Sequence, residues 1–471
     1  MADVCVIGAG PAGSTFAARL AALGHDVCLV ERARFPRSHL GESLSPGVLP
    51  LLDATGARAA VEAAGFQRVR SVLTKWDAGL HVREDTREQG LLVDRGRFDM
   101  LLLERARALG VRVLQPAVVR ERRREGNGWR IRIDADGRTS DVRAAFMADA
   151  SGRAAGMSAR KRRTGCRTLA LYAYWRGSNL PSQPRIEAGT DAWYWGVPLP
   201  DGTYNTLVFV DVKQFRAAGA GPLVARFREL LDRSGLMAGC RDAELAGPVL
   251  ATDATPYLDC ESVTPTSIKV GDAALAIDPL SSSGVQKAIQ SALAGAIVCN
   301  TLLRKTASAA AALRFYRQTL ADASGRHCRW AAAHYGSVAV RSGGTFWAER
   351  AAHAEPQPPL PARDPLDAQA LAAACVEVSK QLEFVELPCI EGDFVTMKPA
   401  LSHPGLEGPV AYLGGWELAP LLRRLPAGLT MLQIAQAWSS GIPLKSALAI
   451  AGWLLNNGVL VARTVERREA V

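Results

Sequence analysis

The first thirty residues contain two apolar runs separated by an alanine-rich stretch. Residues 3–7 form a mainly apolar run without polar alternation, which is typical of a parallel strand buried on both faces. Residues 14–23 predict a helix that ends at Gly24, and residues 26–30 predict a second strand. A strand, a helix and a strand in this order predict the start of a parallel α/β fold.

The turn between the first strand and the helix is rich in glycine. It consists of Gly8, Ala9, Gly10, Pro11, Ala12 and Gly13. The first glycine permits a tight turn, the second lets the backbone approach a pyrophosphate, and the third allows helix and strand to pack closely. The helix N-terminus then faces the anion. Glu31, at the end of the second strand, is placed to accept hydrogen bonds from a ribose. Together these features predict a dinucleotide-binding site.

Three later segments narrow the choice of dinucleotide. Residues 93–99 open a predicted helix at 100–109, and residues 146–153 end a strand in the turn Asp-Ala-Ser-Gly-Arg. Residues 268–274 form a strand followed by Gly-Asp-Ala, and residues 278–285 lead into another helix. In this order, the segments resemble the group A flavin monooxygenases and their relatives, the flavin-dependent halogenases.

The resemblance implies both a fold and a cofactor. The expected fold class is α/β, with a Rossmann-like FAD-binding domain of the glutathione-reductase type interleaved with an antiparallel-sheet substrate domain. By the same resemblance, Asp272 holds the ribityl chain of FAD, Arg95 lies near the pyrophosphate, and the helix from Gly284 directs its N–H groups at the isoalloxazine. The predicted FAD-binding residues are Gly8, Gly10, Pro11, Ala12, Gly13, Glu31, Arg32, Ser43, Arg95, Asp149, Asp272, Gly284 and Val285. Because the sequence has no second such glycine turn, we expect either transient binding of NAD(P)H or a separate flavin reductase.

Further stretches resemble the halogenase branch in particular. Residues 35–37 followed by residues 40–46 resemble its Gly-Glu-Ser loop, and residues 193–198 resemble its WxWxIP motif with valine in place of isoleucine. Residues 315–316 and 346–350 resemble the helical region that closes its substrate tunnel. Two tryptophans at a spacing of two lie on one face of a strand, which is typical of a packed core, so neither Trp193 nor Trp195 is assigned to the chemistry.

One essential residue of the halogenase pattern is missing. The halogenases need an active-site lysine a few residues after a Gly-Phe pair, and an ungapped alignment of residues 65–76 puts Val69 at that position. On a continuous strand, Lys75 would face the same side but lie roughly 20 Å farther along. Ser281 stands where the halogenases usually carry phenylalanine. The sequence therefore favours hydroxylation over halogenation.

The resemblance implies hydroxylation through a flavin C4a-hydroperoxide, which forms from reduced FAD and O₂ and transfers its distal oxygen to an electron-rich ring. The protein must exclude water and hold the aromatic substrate within reach of the flavin. A general base would assist, and His39, His81 and Asp278 are candidates by residue type alone, with a structural role as the default for each. No catalytic residue is assigned, and no metal site is predicted.

The composition changes after residue 350. Residues 351–365 are predicted to be a proline-rich linker, so the chain divides into a core of residues 1–350, this linker and a C-terminal domain of residues 366–471. Within the core, the substrate-binding segments are expected at about 70–95 and 165–255.

The C-terminal domain resembles a small winged-helix α+β domain. Its predicted elements are a helix over 366–382, a strand-like segment over 384–397, helices over 430–437 and 443–455, and a strand at 459–461. The last helix presents mainly alanine and leucine with Lys445 alone, which does not suit major-groove recognition, so no nucleic-acid partner is expected. Packing or dimerisation and peptide docking remain as alternatives.

A halogenase-like core without the lysine, joined to a winged helix, resembles the flavoproteins that hydroxylate a tryptophan within a peptide subunit during tryptophylquinone biogenesis. We therefore expect FAD-dependent hydroxylation of an indole ring, with a tryptophan-containing peptide as the substrate. Two alternatives stay open: a halogenase or hydroxylase of a natural-product aromatic, with the C-terminal domain as a lid, and a flavin-binding regulator that uses the winged helix.

The charge, the cysteines and the apolar stretches of the chain predict where in the cell the protein is located. The net charge of +10 comes mostly from arginine, but the local runs at 120–124 and 161–163 indicate solvated faces. The nine cysteines show no metal-ligand spacing, and an odd number without a disulfide framework indicates a reducing compartment. The longest apolar stretch, residues 447–462, is interrupted by two asparagines, and the first strand begins near Met1. These features predict a cytoplasmic protein with neither membrane span nor signal peptide.

Overall fold

A computed structural model describes residues 1–77, 79–84, 89–154, 160–354, 375–423, 425–426 and 428–462. The chain divides into two compact units, Met1–Glu355 and Pro356–Val471. The division falls within the predicted linker, whose residues 355–365 lie outside the described ones. Each unit is described by itself.

The first unit contains 22 described strands and nine described α-helices. The strands are β1 (Ala2–Ile7), β2 (Val27–Val30), β3 (Ser43–Leu44), β4 (Gln67–Arg68), β5 (Ser71–Lys75), β6 (Leu80–Glu84), β7 (Leu91–Leu92), β8 (Arg112–Leu114), β9 (Val118–Glu125), β10 (Gly128–Ala135), β11 (Arg138–Asp149), β12 (Lys161–Arg163), β13 (Thr168–Arg176), β14 (Arg185–Ala188), β15 (Ala192–Pro198), β16 (Tyr204–Asp211), β17 (Glu244–Leu245), β18 (Leu250–Asp253), β19 (Tyr257–Asp259), β20 (Val263–Thr264), β21 (Ser267–Lys269) and β22 (Leu275–Ala276). The helices are α1 (Pro11–Ala22), α2 (Val48–Thr55), α3 (Arg58–Ala63), α4 (Arg95–Ala108), α5 (Val212–Ala217), α6 (Leu223–Leu231), α7 (Gly284–Arg304), α8 (Ala309–Ser342) and α9 (Thr345–Ala351).

The amino-terminal pattern produces the centre of a mostly parallel sheet. Strand β1 pairs in parallel with both β2 and β11, and the sheet runs in the order β20-β21-β11-β1-β2-β8. The predicted strand–helix–strand start is therefore confirmed. Strands β9 and β10 extend β11 as an antiparallel hairpin, and the arginines of residues 120–124 lie on its largely exposed outer strand.

The second large sheet is built from residues 71–84 and 168–253. Its order is β17-β13-β16-β15-β14-β5-β6, with β18 paired to β13, and its described pairings are antiparallel except the parallel pair β14–β5. One face packs against α6 through apolar residues such as Phe227 and Leu231. The other packs an aromatic cluster against α8 and α9. The predicted fold class, an FAD-type domain interleaved with a largely antiparallel sheet, is confirmed.

Two predictions in this unit were wrong in detail. Residues 65–76 are not one strand, because β4 pairs with β7 in a small sheet while β5 joins the substrate sheet. The two strands therefore belong to different sheets, and the predicted spacing of Val69 and Lys75 along one continuous strand does not apply. Helix α4 begins at Arg95 rather than at Met100, because the Asp94 carboxylate caps it by accepting the Arg97 backbone N–H at 2.7 Å.

The described part of the second unit combines seven strands with three helices. The strands are β23 (Cys375–Val378), β24 (Glu383–Glu391), β25 (Phe394–Ser402), β26 (Tyr412–Leu413), β27 (Trp416–Glu417), β28 (Leu429–Thr430) and β29 (Leu460–Ala462). The helices are α10 (Leu418–Arg423), α11 (Met431–Trp438) and α12 (Leu444–Asn456). Strand β23 lies between β28 and β29, and α11 and α12 pack beside this sheet through Ile434, Trp438 and Leu454.

In this unit, the elements predicted after residue 430 agree with the structure better than those predicted before residue 400. The helices predicted at 430–437 and 443–455 and the strand at 459–461 are present with shifts of about one residue. The helix predicted over 366–382 was wrong where the structure describes it, because Val376 and Val378 lie in strand β23. The segment 384–397 is a hairpin rather than one strand, since Gly392 turns the chain at a φ of +57°. A winged-helix identity for this unit stays a prediction.

Among the described helices, none combines the length and apolar character needed to cross a bilayer. The described residues also contain no cluster of histidine, cysteine or carboxylate side chains that could hold a metal ion. All nine cysteines are free thiols.

Candidate functional site

The glycine turn after β1 has the geometry of a phosphate-binding turn. Gly8 has a φ of +100°, and a Cβ there would lie 2.6 Å from the Ala150 carbonyl oxygen. A Cβ on Gly13 would lie 1.9 Å from the Gly8 oxygen, so only glycine fits at these two positions. Around Gly10 the space is open except for one arginine nitrogen at 3.6 Å, and helix α1 has no side-chain cap. The N–H groups of its first turn can therefore bind an anion.

Glu31, the acid that follows β2, is hydrogen-bonded to this turn. Glu31 is 5% exposed, and its carboxylate accepts the Ala9 N–H at 2.7 Å and the Ala33 N–H at 2.8 Å. This position, beside the first glycine of the turn, fits the predicted contact with a ribose. Arg32 is exposed next to it.

Two arginines converge on one buried carboxylate near the turn. Arg95 donates to Asp99 at 3.1 Å and to the carbonyl oxygens of Leu40 and Gly41 at 2.8 and 3.2 Å. Arg37 Nη2 lies 3.5 Å from the same carboxylate, and the same nitrogen is the one that faces Gly10. The structure thus gives Arg95 contacts with the Gly-Glu-Ser loop, while Arg37 is the cation beside the phosphate turn. Arg37 is not among the FAD-binding residues predicted from the sequence, although it stands four residues before Gly41 in a stretch that resembles the family.

The Gly-Glu-Ser loop joins the two large sheets. Glu42 is 5% exposed and accepts the Tyr174 hydroxyl at 2.8 Å, the Asn205 amide at 3.2 Å and the Gly41 N–H at 2.9 Å. Burial, reinforced by the Glu42 carboxylate, raises the pKa of Tyr174 far above its usual value, so this phenol stays a donor. Ser43 pairs with Leu92 between β3 and β7. The loop is therefore held on the substrate sheet by hydrogen bonds from Tyr174 and Asn205 to the Glu42 carboxylate.

Asp272 lies beside the first turn of α1 because the chain reverses tightly just before it. Gly271 has a φ of +63°, and a Cβ there would meet the Ala12 methyl at 2.6 Å. The Asp272 carboxylate contacts Lys287 Nζ at 2.6 Å and Arg153 Nε at 3.5 Å. Burial raises its pKa, but these two cations outweigh burial and hold the pKa below its usual value.

Lys287 was missed by sequence analysis. It is 3% exposed, lies in the first turn of α7, and also donates to the Leu275 carbonyl oxygen. Burial lowers its pKa despite the attraction of Asp272. A lone lysine near the start of an otherwise apolar helix was the available signal, because such a charge needs a buried partner.

Among the other residues predicted to bind FAD, Asp149 holds a turn together, and Gly284 and Val285 begin helix α7. Asp149, at the end of β11, accepts the backbone N–H and the hydroxyl of Ser151 at 2.9 and 2.5 Å. Gly284 is exposed and begins α7, with Val285 half-buried behind it. Ser283 at the N-cap of α7 makes no side-chain capping bond, which leaves this helix end available for an anion.

The aromatic motifs form a core. Trp193 is 2% exposed and stacks on Phe209, with ring centroids 3.6 Å apart and planes 7° from parallel. Trp76 meets Trp193 and Trp347 edge to face, at centroid distances of 6.4 and 5.5 Å. This packing agrees with the interpretation of Trp193 as a core residue.

The three candidate general bases, His39, His81 and Asp278, lie in different parts of the first unit. His81 lies exposed on the edge strand β6, and the structure records no hydrogen bond for it among the described residues. His39 keeps its Nδ1 2.8 Å from the Leu40 carbonyl oxygen, within the Gly-Glu-Ser loop. Asp278 lies in the loop before α7 and accepts the Tyr335 hydroxyl at 2.9 Å. Of the three, only Asp278 links that loop to the aromatic face of the substrate sheet.

Comparison with known proteins identifies the family. Residues 1–165 match the FAD binding domain family. A tryptophan 2-halogenase of Chondromyces crocatus is 33% identical over 377 residues, which make up 75% of this chain and 71% of that protein. The chain belongs to the halogenase-like branch of the FAD-dependent monooxygenases. It is accordingly an FAD-dependent oxidoreductase, and the glycine turn, the uncapped α1 and the Glu31 carboxylate fit that cofactor.

Solved structures of this halogenase-like branch extend the likeness to the second unit. The peptidyl tryptophan dihydroxylase QhpG, essential for tryptophylquinone cofactor biogenesis, is 30% identical with a TM-score of 0.75, and the match covers 97% of this chain and 99% of that one. The flavin-dependent halogenase CmlS is 20% identical with a TM-score of 0.78 over 98% and 96% of the two chains, which shows the fold alone. Enzymes of this branch generally use O₂, an aromatic substrate and a separate flavin reductase.

Proposed function

We propose that this enzyme hydroxylates an aromatic ring rather than halogenating it, and that the ring is the indole of a tryptophan in a peptide. The likeness to QhpG supports the substrate class, because it covers nearly the whole chain, including the second unit. The observation that carries the choice of reaction is that Val69 stands at the position where the halogenases carry their active-site lysine.

None of the six lysines of the first unit stands at the position that the alignment assigns to the halogenase lysine. Val69 stands at the position that the alignment assigns to the halogenase lysine, and its backbone N–H donates to the Gly90 carbonyl oxygen at 2.9 Å. Three of the six lysines, Lys75, Lys269 and Lys287, form ion pairs with Glu187, Asp259 and Asp272. Lys161 donates to the Arg153 carbonyl oxygen at 3.1 Å, and Lys213 and Lys305 lie at the start of α5 and just after α7.

Lys75 follows Val69 closely in sequence, so its position relative to the aromatic cluster bears on the choice of reaction. Its Nζ contacts Glu187 at 2.8 Å, and Glu187 also accepts the Ser234 hydroxyl and the Leu236 N–H. Ser234 and Leu236 belong to the α6 side of the substrate sheet. The aromatic cluster occupies the opposite side, so Lys75 is directed away from it.

The chain's own residues then have defined tasks. When bound and reduced, FAD supplies an electrophilic oxygen from O₂. The first turn of α1 and Arg37 would hold its phosphates, and Glu31 its ribose. Glu42 keeps the loop at residues 40–46 fixed on the substrate sheet. The packed aromatic face excludes water, which favours oxygen transfer to the ring over loss of the oxidant to solvent.

The test measures the mass of the product. A tryptophan-containing peptide is incubated with the holoenzyme, an NADH-driven flavin reductase and excess bromide, and is then analysed by intact mass. We expect a gain of one or two oxygen atoms and no bromine. Brominated peptide would contradict the proposal, and a product formed only from free tryptophan would contradict the peptide as substrate while leaving ring oxygenation standing.

Lys75→Met is expected to change neither the product nor the rate by more than about twofold, since Lys75 is directed away from the aromatic cluster and the buried Glu187 keeps its hydrogen bonds from Ser234 and Leu236. The comparison uses the same mass assay, with product formation timed against wild type. Loss of activity at full FAD content would instead show that Lys75 acts in the chemistry.

A further inference from the structure

Asp278 is anchored through one carboxylate oxygen only. Its Oδ1 accepts both the Tyr335 hydroxyl at 2.9 Å and the Leu280 backbone N–H at 3.0 Å. For Oδ2, the structure records no hydrogen-bond or ion-pair partner among the described residues, and Asp278 is only partly buried and lines a small cavity. The carboxylate is therefore held in a fixed direction with one oxygen available to accept a proton.

Tyr335 fixes this direction because its ring cannot move freely. It is 3% exposed on α8, and its ring lies 6.5 Å from Trp76 and 5.9 Å from Trp347. Leu280, the other residue that anchors Asp278, packs against the same aromatic cluster. The pair thus connects the loop before α7 to the aromatic cluster beside α9, which holds residues 346–350, the segment that the family resemblance places at the substrate tunnel.

A small cavity opens beside the pair. Asp278, Tyr335, His327 and Arg350 line it, and it has room for about one water molecule at ≈ 20 Å³. Arg350 is 3% exposed and donates to Phe346 and Thr168 oxygens at 3.2 Å, and a guanidinium does not accept protons. Burial, with help from Lys287 and Arg326, lowers the pKa of His327, so the imidazole is neutral near pH 7 and can take up a proton.

The charges around Asp278 set its basicity. Burial raises its pKa, and the hydrogen bonds from Leu280 and Tyr335 together with the nearby guanidinium groups reduce this rise without cancelling it. The titratable and charged groups that face it are Tyr335 and His327 on α8, Arg350 on α9, Arg153 after β11 and Cys166 before β13. Asp278 is therefore a stronger base than an exposed aspartate and still ionises.

We propose that Asp278 accepts the ring proton released during hydroxylation, that Tyr335 is its positioning residue, and that the cavity passes the proton to His327. The proposal rests on the hydroxylation described above. The ring's electrons form the new C–O bond as the O–O bond of the oxygen donor, made from O₂ and reduced flavin, breaks. The oxygenated ring carbon then releases its proton to Oδ2, and the C–H electron pair restores the aromatic ring.

The test compares Asp278→Asn and Tyr335→Phe with Asp201→Asn, a control aspartate that caps a turn at Thr203 in the same way. With the tryptophan peptide, kcat is expected to fall about 10²–10⁴-fold in Asp278→Asn. A ring-deuterated peptide should then show a primary isotope effect that is absent in wild type. The wild-type rate should fall as pH drops through the raised pKa, because the base is then protonated, and Asp278→Asn should lose this limb. Tyr335→Phe should keep the limb but shift it.

A second measurement needs no substrate. The visible absorption of bound FAD is titrated from pH 4 to 8, and we expect a transition that Asp278→Asn abolishes and Asp201→Asn retains. A transition unchanged in Asp278→Asn, or full turnover without an isotope effect, would overturn the role of Asp278. If wild type oxygenates no peptide but the titration behaves as expected, the substrate proposal fails, while the titration supports Asp278 as a group close to the flavin, as expected for the loop before the helix assigned to the isoalloxazine.

Discussion

Gly13→Ala is expected to lower the affinity for FAD by at least about 100-fold, which corresponds to about 2.7 kcal/mol. A methyl group there would lie 1.9 Å from the Gly8 carbonyl oxygen and 3.0 Å from the Ala150 methyl. Helix α1 must then move away from β1, which removes its N-terminal N–H groups from the phosphate position. The loss is measured by titrating apoprotein with FAD and following the quenching of flavin fluorescence.

The matched control is Gly247→Ala, because Gly247 has open space where the methyl group would be added. This variant should bind FAD as wild type does. If Gly13→Ala kept normal affinity, the helix would not need to approach the turn this closely, and the assignment of α1 as the phosphate-binding helix would fail. Far-ultraviolet circular dichroism of both apoproteins separates loss of binding from loss of folding.

The sequence predicted those parts of the site that depend on neighbouring residues. The strand, glycine turn, helix and acid of residues 3–31 are recognisable because each requirement, such as a positive φ at Gly8, acts on the local chain. Arg37, Lys287 and Tyr335 were not found, since their roles depend on partners from other elements. Lys287 reaches Asp272 across a turn and a loop, and Tyr335 reaches Asp278 over 57 residues.

The errors have a related cause. Residues 65–76 look like one strand because apolar and polar positions continue across Val69, but the pairing partners of β4 and β5 come from different sheets. Likewise, the segment at 375–378 follows an alanine-rich stretch, yet pairing with β28 and β29 makes it a strand. Tertiary pairing overrides local preference in both cases.

Hydroxylation and halogenation differ in the need for one residue, the active-site lysine of the halogenases. A hydroxylase needs only the ring near the flavin and a path for one proton. A halogenase must also hold an oxidised halide, for which it uses a lysine amine. Val69 at the aligned position and the ion pairs of Lys75 and Lys287 are the features on which the proposed hydroxylation rests, while the FAD-binding turn and the Gly-Glu-Ser loop are common to both reactions.

Lys269→Met is expected to destabilise the first unit by about 3–5 kcal/mol, because it leaves the buried Asp259 carboxylate without its cation. Lys269 Nζ and Asp259 Oδ1 are 2.8 Å apart, and both side chains are at most 2% exposed. Lys269 ends β21, the strand that leads through Val270 and Gly271 to Asp272. The variant should therefore also bind FAD more weakly.

The double variant Lys269→Met, Asp259→Leu separates charge from packing. It removes both charges, so most of the stability should return, since a well-packed apolar pair can replace a buried ion pair without loss. Thermal unfolding of the two variants, followed by tryptophan fluorescence at fixed FAD concentration, provides the comparison. If the single variant unfolds at the wild-type temperature, the ion pair does not hold β21 in place. If the double variant is as unstable as the single one, the lost stability comes from the shape of the lysine side chain and not from the unpaired carboxylate.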